Sequence, residues 1–110
     1  MRSYLLDEVS SSDIQKARGY LNERAERSSI EDLYWLTVPR DLLSEEQSRH
    51  TECQPYCVAI EVGDQFLRFE FLVRSRVNHR CRCASYPDEA QRDFVMAFAD
   101  GLIQELQIRT

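Results

Sequence analysis

The sequence predicts a two-layer α+β domain, in which an antiparallel sheet of about four strands carries an N-terminal and a C-terminal helix. Near both ends of the chain, apolar residues recur every three or four positions, which is the period of an amphipathic helix. Between them, residues 56–74 alternate apolar and polar side chains, which is the period of a half-buried strand. No linker or repeat divides the 110 residues, so we expect a single domain over residues 1–110.

The first helix follows a run of serines at residues 10–12. Ser12 and Gln15 have capping-box spacing, in which each side chain binds the backbone amide of the other residue. We therefore expect a helix from about Asp13 to Arg27. Its apolar period predicts that the buried side consists of Ile14, Ala17, Leu21 and Ala25.

The segment SIEDLYWLTVP, residues 29–39, predicts a strand over Leu33–Val38. Its aromatic run ends in β-branched residues just before Pro39, a pattern typical of strands. A short helix is the alternative, because Ser29 and Asp32 could cap it. The next segment, Ser44–His50, repeats the capping-box spacing and predicts a short helix.

Two strands follow, over residues 56–62 and 66–74, and a Gly-Asp pair at residues 63 and 64 is a hairpin signal. The register depends on whether the loop holds an even or an odd number of residues. An even loop places Ile60 opposite Leu67 or Phe69, whereas an odd loop places core side chains opposite charged ones. Because a one-residue slip turns every side chain to the other face, we expect a loop of two or four residues.

The stretch RVNHRCRCASYP, residues 76–87, predicts the third strand of a meander. Two arginines are costly to bury, so Arg80 and Arg82 should face outward, with Cys81 and Cys83 facing the core. In that register Glu70 lies opposite Arg82 as a pair of opposite charges.

The C-terminal helix begins at residues 87–89, where Pro-Asp-Glu suits the first turn and the positive end of a helix. Its apolar period predicts a buried side formed by Ala90, Phe94, Ala97, Phe98, Leu102 and Leu106. The resulting order of elements resembles that of small acidic chaperone-like α+β domains, such as those that serve bacterial secretion. This likeness is one of fold alone and transfers no functional residues.

Histidine and cysteine provide the clearest candidate for chemistry. The candidate ligands are His50, Cys53, Cys57, His79, Cys81 and Cys83. Zinc prefers four thiolate or imidazole ligands, which chains usually supply as closely spaced pairs. Strand alternation, however, places Cys57 on the sheet face opposite Cys81 and Cys83, and neither half has C-x2-C spacing. We therefore expect buried, unreactive thiols and no metal site, and zinc binding through these residues is the alternative.

Two further uses of the cysteines are disfavoured. Residues two apart on a strand point in the same direction, so a Cys81–Cys83 disulfide is not expected, while Cys53 with Cys57 is conceivable under oxidation. A nucleophilic cysteine beside His79 would need an oxyanion-binding element and a second acid, and the sequence offers neither. No catalytic residue, cofactor or small-molecule substrate is identified, and we expect a non-enzymatic protein.

The outer face of the predicted sheet is the candidate interface. It mixes arginines with large apolar residues, the types that are enriched at protein interfaces. The predicted interface residues are Phe66, Arg68, Leu72, Arg74, Arg80, Arg82 and Tyr86. We expect a protein-binding domain of the adaptor, regulatory or chaperone-like kind, acting as a homodimer because its acidic helices complement this face. A solvated face with cross-strand ion pairs is the alternative.

Charge and hydropathy limit the other partners. The net charge is −5, although residues 68–82 contain five arginines against one glutamate. An acidic chain without paired strand aromatics of the RNA-binding type argues against nucleic acid. No apolar run reaches the ~20 residues of a membrane span or forms a signal-peptide core, so we expect a cytoplasmic protein.

Overall fold

The fold is of the predicted α+β class, in a computed structural model that describes residues 2–78 and 80–109. Over those residues, six strands form one antiparallel sheet. They are β1 (Ser3–Leu6), β2 (Glu26–Arg27), β3 (Leu33–Thr37), β4 (Tyr56–Val62), β5 (Leu67–Glu70) and β6 (Arg74–Ser75). The order across the sheet is β1-β5-β4-β3-β2, and β6 pairs with β4. The prediction of about four strands was therefore too low.

Three α-helices are present in the described part of the chain. They are α1 (Ser11–Arg24), α2 (Glu45–Arg49) and α3 (Glu89–Leu106). None of them has the length and apolar character needed to cross a membrane. The long helices cover one face of the sheet, where Phe69 on β5 contacts Phe98 on α3 edge-on at 6.5 Å between ring centroids. Phe98 in turn contacts Tyr20 on α1 at 5.8 Å, so three elements meet at one aromatic cluster.

The predicted hairpin is confirmed, including its register. Val62 pairs with Leu67 and Ile60 with Phe69, which leaves a loop of four residues. The loop is closed by the Gly63 amide, which donates to the Phe66 carbonyl at 2.8 Å. A Cβ atom on Gly63 would lie 2.1 Å from the Phe66 ring, so this position needs glycine unless the ring moves.

The strand prediction for residues 33–38 and the short helix after Ser44 are also confirmed. The first helix begins earlier than predicted, because Ser10 and not Ser12 is its N-cap, accepting from the Asp13 amide at 3.2 Å. Its buried side holds three of the four predicted residues, Ile14, Ala17 and Leu21, and Ala25 is partly buried.

The buried side of α3 is rotated relative to the prediction. Ala90 and Ala97 are exposed, whereas Val95 and Ala99 are fully buried. The polar Gln91 is also buried, so apolar periodicity misplaced the first turns of the stripe. Leu102 is buried as predicted, and Phe94, Phe98 and Leu106 are partly buried against the core.

The predicted third strand of the meander was wrong. After β6 the chain turns, because the Ser75 hydroxyl donates to the Cys53 carbonyl and accepts from the Val77 and Asn78 amides. Residues 80–83 consequently lie in a turn, and only a single bridge between Val73 and Ser85 extends the pairing. The predicted Glu70–Arg82 pair is absent from the described residues, where Glu70 instead forms an ion pair with Arg74.

Candidate metal centre

Four of the predicted ligands converge at one point. They are His50, Cys53, Cys81 and Cys83, and their ligand atoms all lie within 4.8 Å of one another. Zinc lies about 2.3 Å from sulfur and about 2.0 Å from imidazole nitrogen, so tetrahedral ligand atoms are roughly 3.5 to 3.8 Å apart. The four ligand atoms are close enough to share one ion, although the sulfurs of Cys53 and Cys81, 2.8 Å apart, would have to separate by about 1 Å to hold zinc.

The first pair of ligands is placed by the end of α2. His50 follows the helix directly, and its carbonyl accepts from the Cys53 amide at 3.0 Å, which closes a 3-10 turn over Thr51–Cys53. In such a turn the side chains at positions i and i+3 lie on the same side. The H-x2-C spacing thus directs an imidazole and a thiol toward the same point.

The second pair lies in the turn after Asn78, whose carbonyl accepts from the Cys81 amide at 3.1 Å. This turn brings the Cys81 sulfur to 2.8 Å from the Cys53 sulfur and to 3.7 Å from Nδ1 of His50. Cys83 is buried in the core, and Cys81 is half-buried beside it. The prediction that both thiols point inward therefore holds in part, although a turn and not a strand directs them.

Two hydrogen-bond donors surround the sulfurs. The Tyr56 hydroxyl donates to Sγ of Cys83 at 2.9 Å, and the side-chain amide nitrogen of Asn78 lies 3.9 Å from Sγ of Cys53. Burial, assisted by the charges of Cys53 and Glu52, raises the pKa of Tyr56 to about 12, so its hydroxyl keeps the proton that it donates. Donors of this kind orient metal ligands and stabilise thiolate charge.

A disulfide joins Cys81 and Cys83, contrary to the prediction. The prediction assumed a strand, in which alternate side chains are parallel. In the observed turn the two Cα atoms are 5.3 Å apart, which is within the usual range for a disulfide, and the side chains converge. Cys53 and Cys57 are free thiols.

The remaining two candidate ligands do not belong to the described cluster. Cys57 lies on the other face of β4, as predicted, where its thiol is 3.7 Å from the Arg74 carbonyl oxygen. It is fully buried there. His79 lies outside the described residues.

Cys57 gives a prediction for alkaline pH. Burial raises the pKa of its thiol from 9.0 to about 11, and the nearby Arg74 guanidinium opposes that shift only in part. The folded state holds the proton more tightly, so the free energy of unfolding should fall as the pH rises from about 9 to about 11. Urea unfolding of Cys57→Ala over this range should show a smaller loss, with Tyr56 accounting for the rest. An identical loss in both proteins would contradict the assignment.

Of the seven predicted interface residues, Arg68 and Arg74 lie on the outer sheet face and have partners there, and Phe66 lies in the adjoining hairpin loop beneath Arg68. Arg68 pairs with Glu61 at 2.7 Å and lies over the Phe66 ring at 5.1 Å. Arg74 forms an ion pair with Glu70 and lies over the ring of Trp35.

The other four predicted interface residues lie outside the strands of the sheet. Tyr86 is exposed in the segment before α3, where the Arg2 guanidinium stacks over its ring at 4.0 Å. Leu72 is half-buried between β5 and β6. Arg80 and Arg82 are exposed in the turn that carries Cys81, so the structure spreads the predicted residues over several surfaces.

Two buried glutamines support the site, and their role there was not predicted from the sequence. The side-chain amide of Gln91 donates to the Leu42 carbonyl and to Oε1 of Gln47, both at 2.9 Å. The side-chain amide of Gln47 in turn donates to the Cys83 carbonyl at 3.5 Å and to the Ser85 hydroxyl at 3.4 Å. Capping-box spacing marks both glutamines in the sequence, but their second set of partners is tertiary.

The cluster offers three sulfur ligands and one imidazole. Soft sulfur donors with imidazole suit zinc, and four protein ligands fill its tetrahedral coordination, which is typical of structural sites and not of catalytic ones. No family model, curated protein or solved structure matches the chain, so the functional argument depends on this geometry.

Proposed function

We propose that the protein is a non-catalytic zinc-binding domain, in which His50, Cys53, Cys81 and Cys83 hold one Zn²⁺. The observation that carries the proposal is convergence: Cys53 and Cys81 are 28 residues apart in sequence, yet their sulfurs are 2.8 Å apart. All four ligand atoms share one cluster, in which each residue supplies a single atom.

The metal requires the reduced form of the site. Zinc binds thiolates, so the Cys81–Cys83 disulfide must first be reduced, and binding then displaces the thiol protons. A cytoplasmic location, which we include in the proposal, would keep the thiols reduced. The loaded site carries three thiolate charges against the two positive charges of zinc, and the Tyr56 hydroxyl helps to stabilise the excess at Cys83.

The role proposed for the metal is to fasten the segment between β6 and α3. Among the described residues of that segment, only Cys83 and Pro87 are buried and a single β-bridge, to Val73, joins the segment to the sheet, so it buries little apolar surface of its own. A segment with few buried contacts opens easily unless another interaction holds it. Zinc would tie this segment to the end of α2 through two ligands on each side.

Metal analysis tests the proposal directly. Reduced protein purified with zinc present should contain one zinc per chain by elemental analysis and native mass spectrometry. Cobalt substitution should give cobalt–thiolate charge-transfer bands. Cys53→Ser should lose the metal, whereas the matched control Cys57→Ser, which alters a buried thiol outside the cluster, should retain it. A reduced wild-type protein with no saturable zinc binding would overturn the proposal.

Self-association through the outer sheet face is a second proposal. It is supported by Leu5, which is 45% exposed beside Arg68, and by the half-buried Trp35 on the same face. Apolar side chains among arginines are typical of interfaces between proteins. Through such a surface the protein would form a homodimer or bind a different protein.

Sedimentation over a concentration series tests this second proposal. The wild-type protein should dimerise, and Arg68→Glu should weaken the dimer by placing a second carboxylate beside Glu61. Arg82→Glu tests whether the turn of the metal cluster takes part, and Arg92→Glu, on the exposed side of α3, is the matched control. A monomer at every concentration would rule out self-association.

A further inference from the structure

We propose that the cluster is a redox switch, in which a peroxide oxidises Cys81 and Cys83 to a disulfide and thereby releases the zinc. This inference rests on the proposed function and adds a means of regulating the same site. It assigns separate roles to the three cysteines: two form the disulfide, and Cys53 remains a thiol.

The structure shows the disulfide form with all four candidate ligands still gathered at one point. Cys81 and Cys83 are joined as a disulfide while their sulfurs still lie in the cluster with His50 and Cys53. A disulfide sulfur has no thiolate charge to donate to zinc, so the disulfide and the bound metal exclude each other. Because the disulfide already lies beside His50 and Cys53, its reduction would leave all four ligands close together, and the sulfurs would then separate to the roughly 3.8 Å of a zinc site.

Cys81 is the thiolate that meets the oxidant. It is half-buried, whereas Cys83 is only 2% exposed and its sulfur accepts the Tyr56 hydroxyl. Cys81 attacks one peroxide oxygen, the O–O bond breaks, hydroxide leaves and a sulfenic acid forms. The Cys83 thiolate then attacks the Cys81 sulfur, the S–S bond forms, and the S–O bond breaks with loss of a second hydroxide. Two thiolates lose two electrons and the peroxide gains them.

Cys53 is the competing partner, since its sulfur is 2.8 Å from that of Cys81. The chain favours Cys83 for a simple reason. Only one residue separates Cys81 from Cys83, so the two stay close whatever the metal does, which is a high effective concentration. Cys53 lies on another segment and stays close only while the cluster is assembled. Zinc loses two of its four ligands in the product, and its oxidation state does not change.

The two states differ in what they connect. Zinc would link the end of α2 to the turn that carries Cys81 and Cys83, whereas the disulfide closes a loop within that turn alone. Oxidation should therefore remove the metal link between this turn and the end of α2, which leaves the weaker contacts of the disulfide form, such as the hydrogen bond from the Gln47 side chain to the Cys83 carbonyl.

The experiment starts from reduced, zinc-loaded Cys57→Ser protein, which leaves three cysteines to map. Zinc uptake is measured first with a chromophoric chelator, then hydrogen peroxide is added in stoichiometric amounts. We expect one zinc released for each disulfide formed, a mass loss of two hydrogens, and recovery of zinc binding after a dithiol reductant is added. Cleavage after Arg82 separates Cys81 from Cys83, so the expected disulfide joins two tryptic peptides, residues 81–82 and 83–92.

The outcomes separate the two proposals. Reduced protein that binds no zinc contradicts the proposed function itself. Protein that binds zinc but keeps it after the disulfide forms contradicts only the switch. A disulfide that joins residues 81–82 to the peptide of Cys53, residues 50–68, also overturns the switch as assigned. As a check on the roles, Cys53→Ser should still form the Cys81–Cys83 disulfide, whereas Cys83→Ser should form none within the turn.

Discussion

Cys83→Ser is expected to abolish stoichiometric zinc binding and to remove the stabilisation that the metal provides. Cys83 is one of the two buried ligands of the cluster, and a serine hydroxyl does not ionise to replace its thiolate. Loss of groups that merely orient ligands typically costs 10- to 100-fold in metal affinity, so loss of a ligand should cost more than about 100-fold. At free zinc 1,000-fold above the dissociation constant, the wild-type protein should gain about 4 kcal/mol of stability.

Thermal unfolding with and without zinc measures this effect under reducing conditions. For a chain of this length, 4 kcal/mol corresponds to a rise in Tm of roughly 15 °C, and Cys83→Ser should show almost none of it. Cys57→Ser, also fully buried but outside the cluster, should keep the full rise. A zinc-dependent rise in Tm that persists in Cys83→Ser would exclude this residue as a ligand.

The sequence determined the register of the central hairpin because parity leaves few solutions there. A shift by one residue would have placed Glu61 opposite Leu67, and the observed pairing of Ile60 with Phe69 avoids it. By contrast, β1 was not anticipated. Its four residues show no distinctive period, and it exists because Ser3–Leu6 pairs with the edge of β5.

The same parity argument failed for the segment with Cys81 and Cys83. Alternating arginine and cysteine imitates the period of a strand, but the hydrogen bonds of Ser75 turn the chain before a strand can form. Alternation of polar and apolar residues indicates which way side chains point only where pairing with a neighbouring strand holds the segment in a β conformation. Here the turn was decided by contacts with Cys53, from a segment more than twenty residues earlier.

The candidate ligands were identified from the sequence, but their convergence was not. Residue type and spacing selected six positions, and the structure brings four of them together. The segment after α2 and the turn after β6 meet at Ser75, which pairs with Tyr56 on β4 and donates its hydroxyl to the Cys53 carbonyl. Contact between segments that are distant in sequence is a property of the tertiary fold, and it cannot be predicted from local periodicity.

Gln91→Leu should lower the free energy of unfolding by about 3 kcal/mol. The Gln91 side chain is 1% exposed; it donates to the Leu42 carbonyl and to Gln47, and it accepts from the Asp88 amide at 3.1 Å. A leucine of similar volume would remove all three hydrogen bonds. Oε1 of Gln47 would keep the Ser44 amide as a donor, but the Leu42 carbonyl and the Asp88 amide would lose this partner, and an unsatisfied buried group costs about 1–3 kcal/mol. Urea denaturation gives the value, with Gln104→Leu on the exposed side of α3 as the control, expected within about 0.5 kcal/mol of wild type.

A double-mutant cycle with Gln47→Leu distinguishes the lost hydrogen bond from lost packing. The two amides are joined directly at 2.9 Å, so removing both leaves fewer unsatisfied groups than the two single changes together. The double variant should therefore be less destabilised than the sum of the singles. Additive losses would mean that the two glutamines act independently. Because the Gln47 amide also contacts the Cys83 carbonyl, both variants carrying Gln47→Leu should bind zinc more weakly, whereas Gln104→Leu should not.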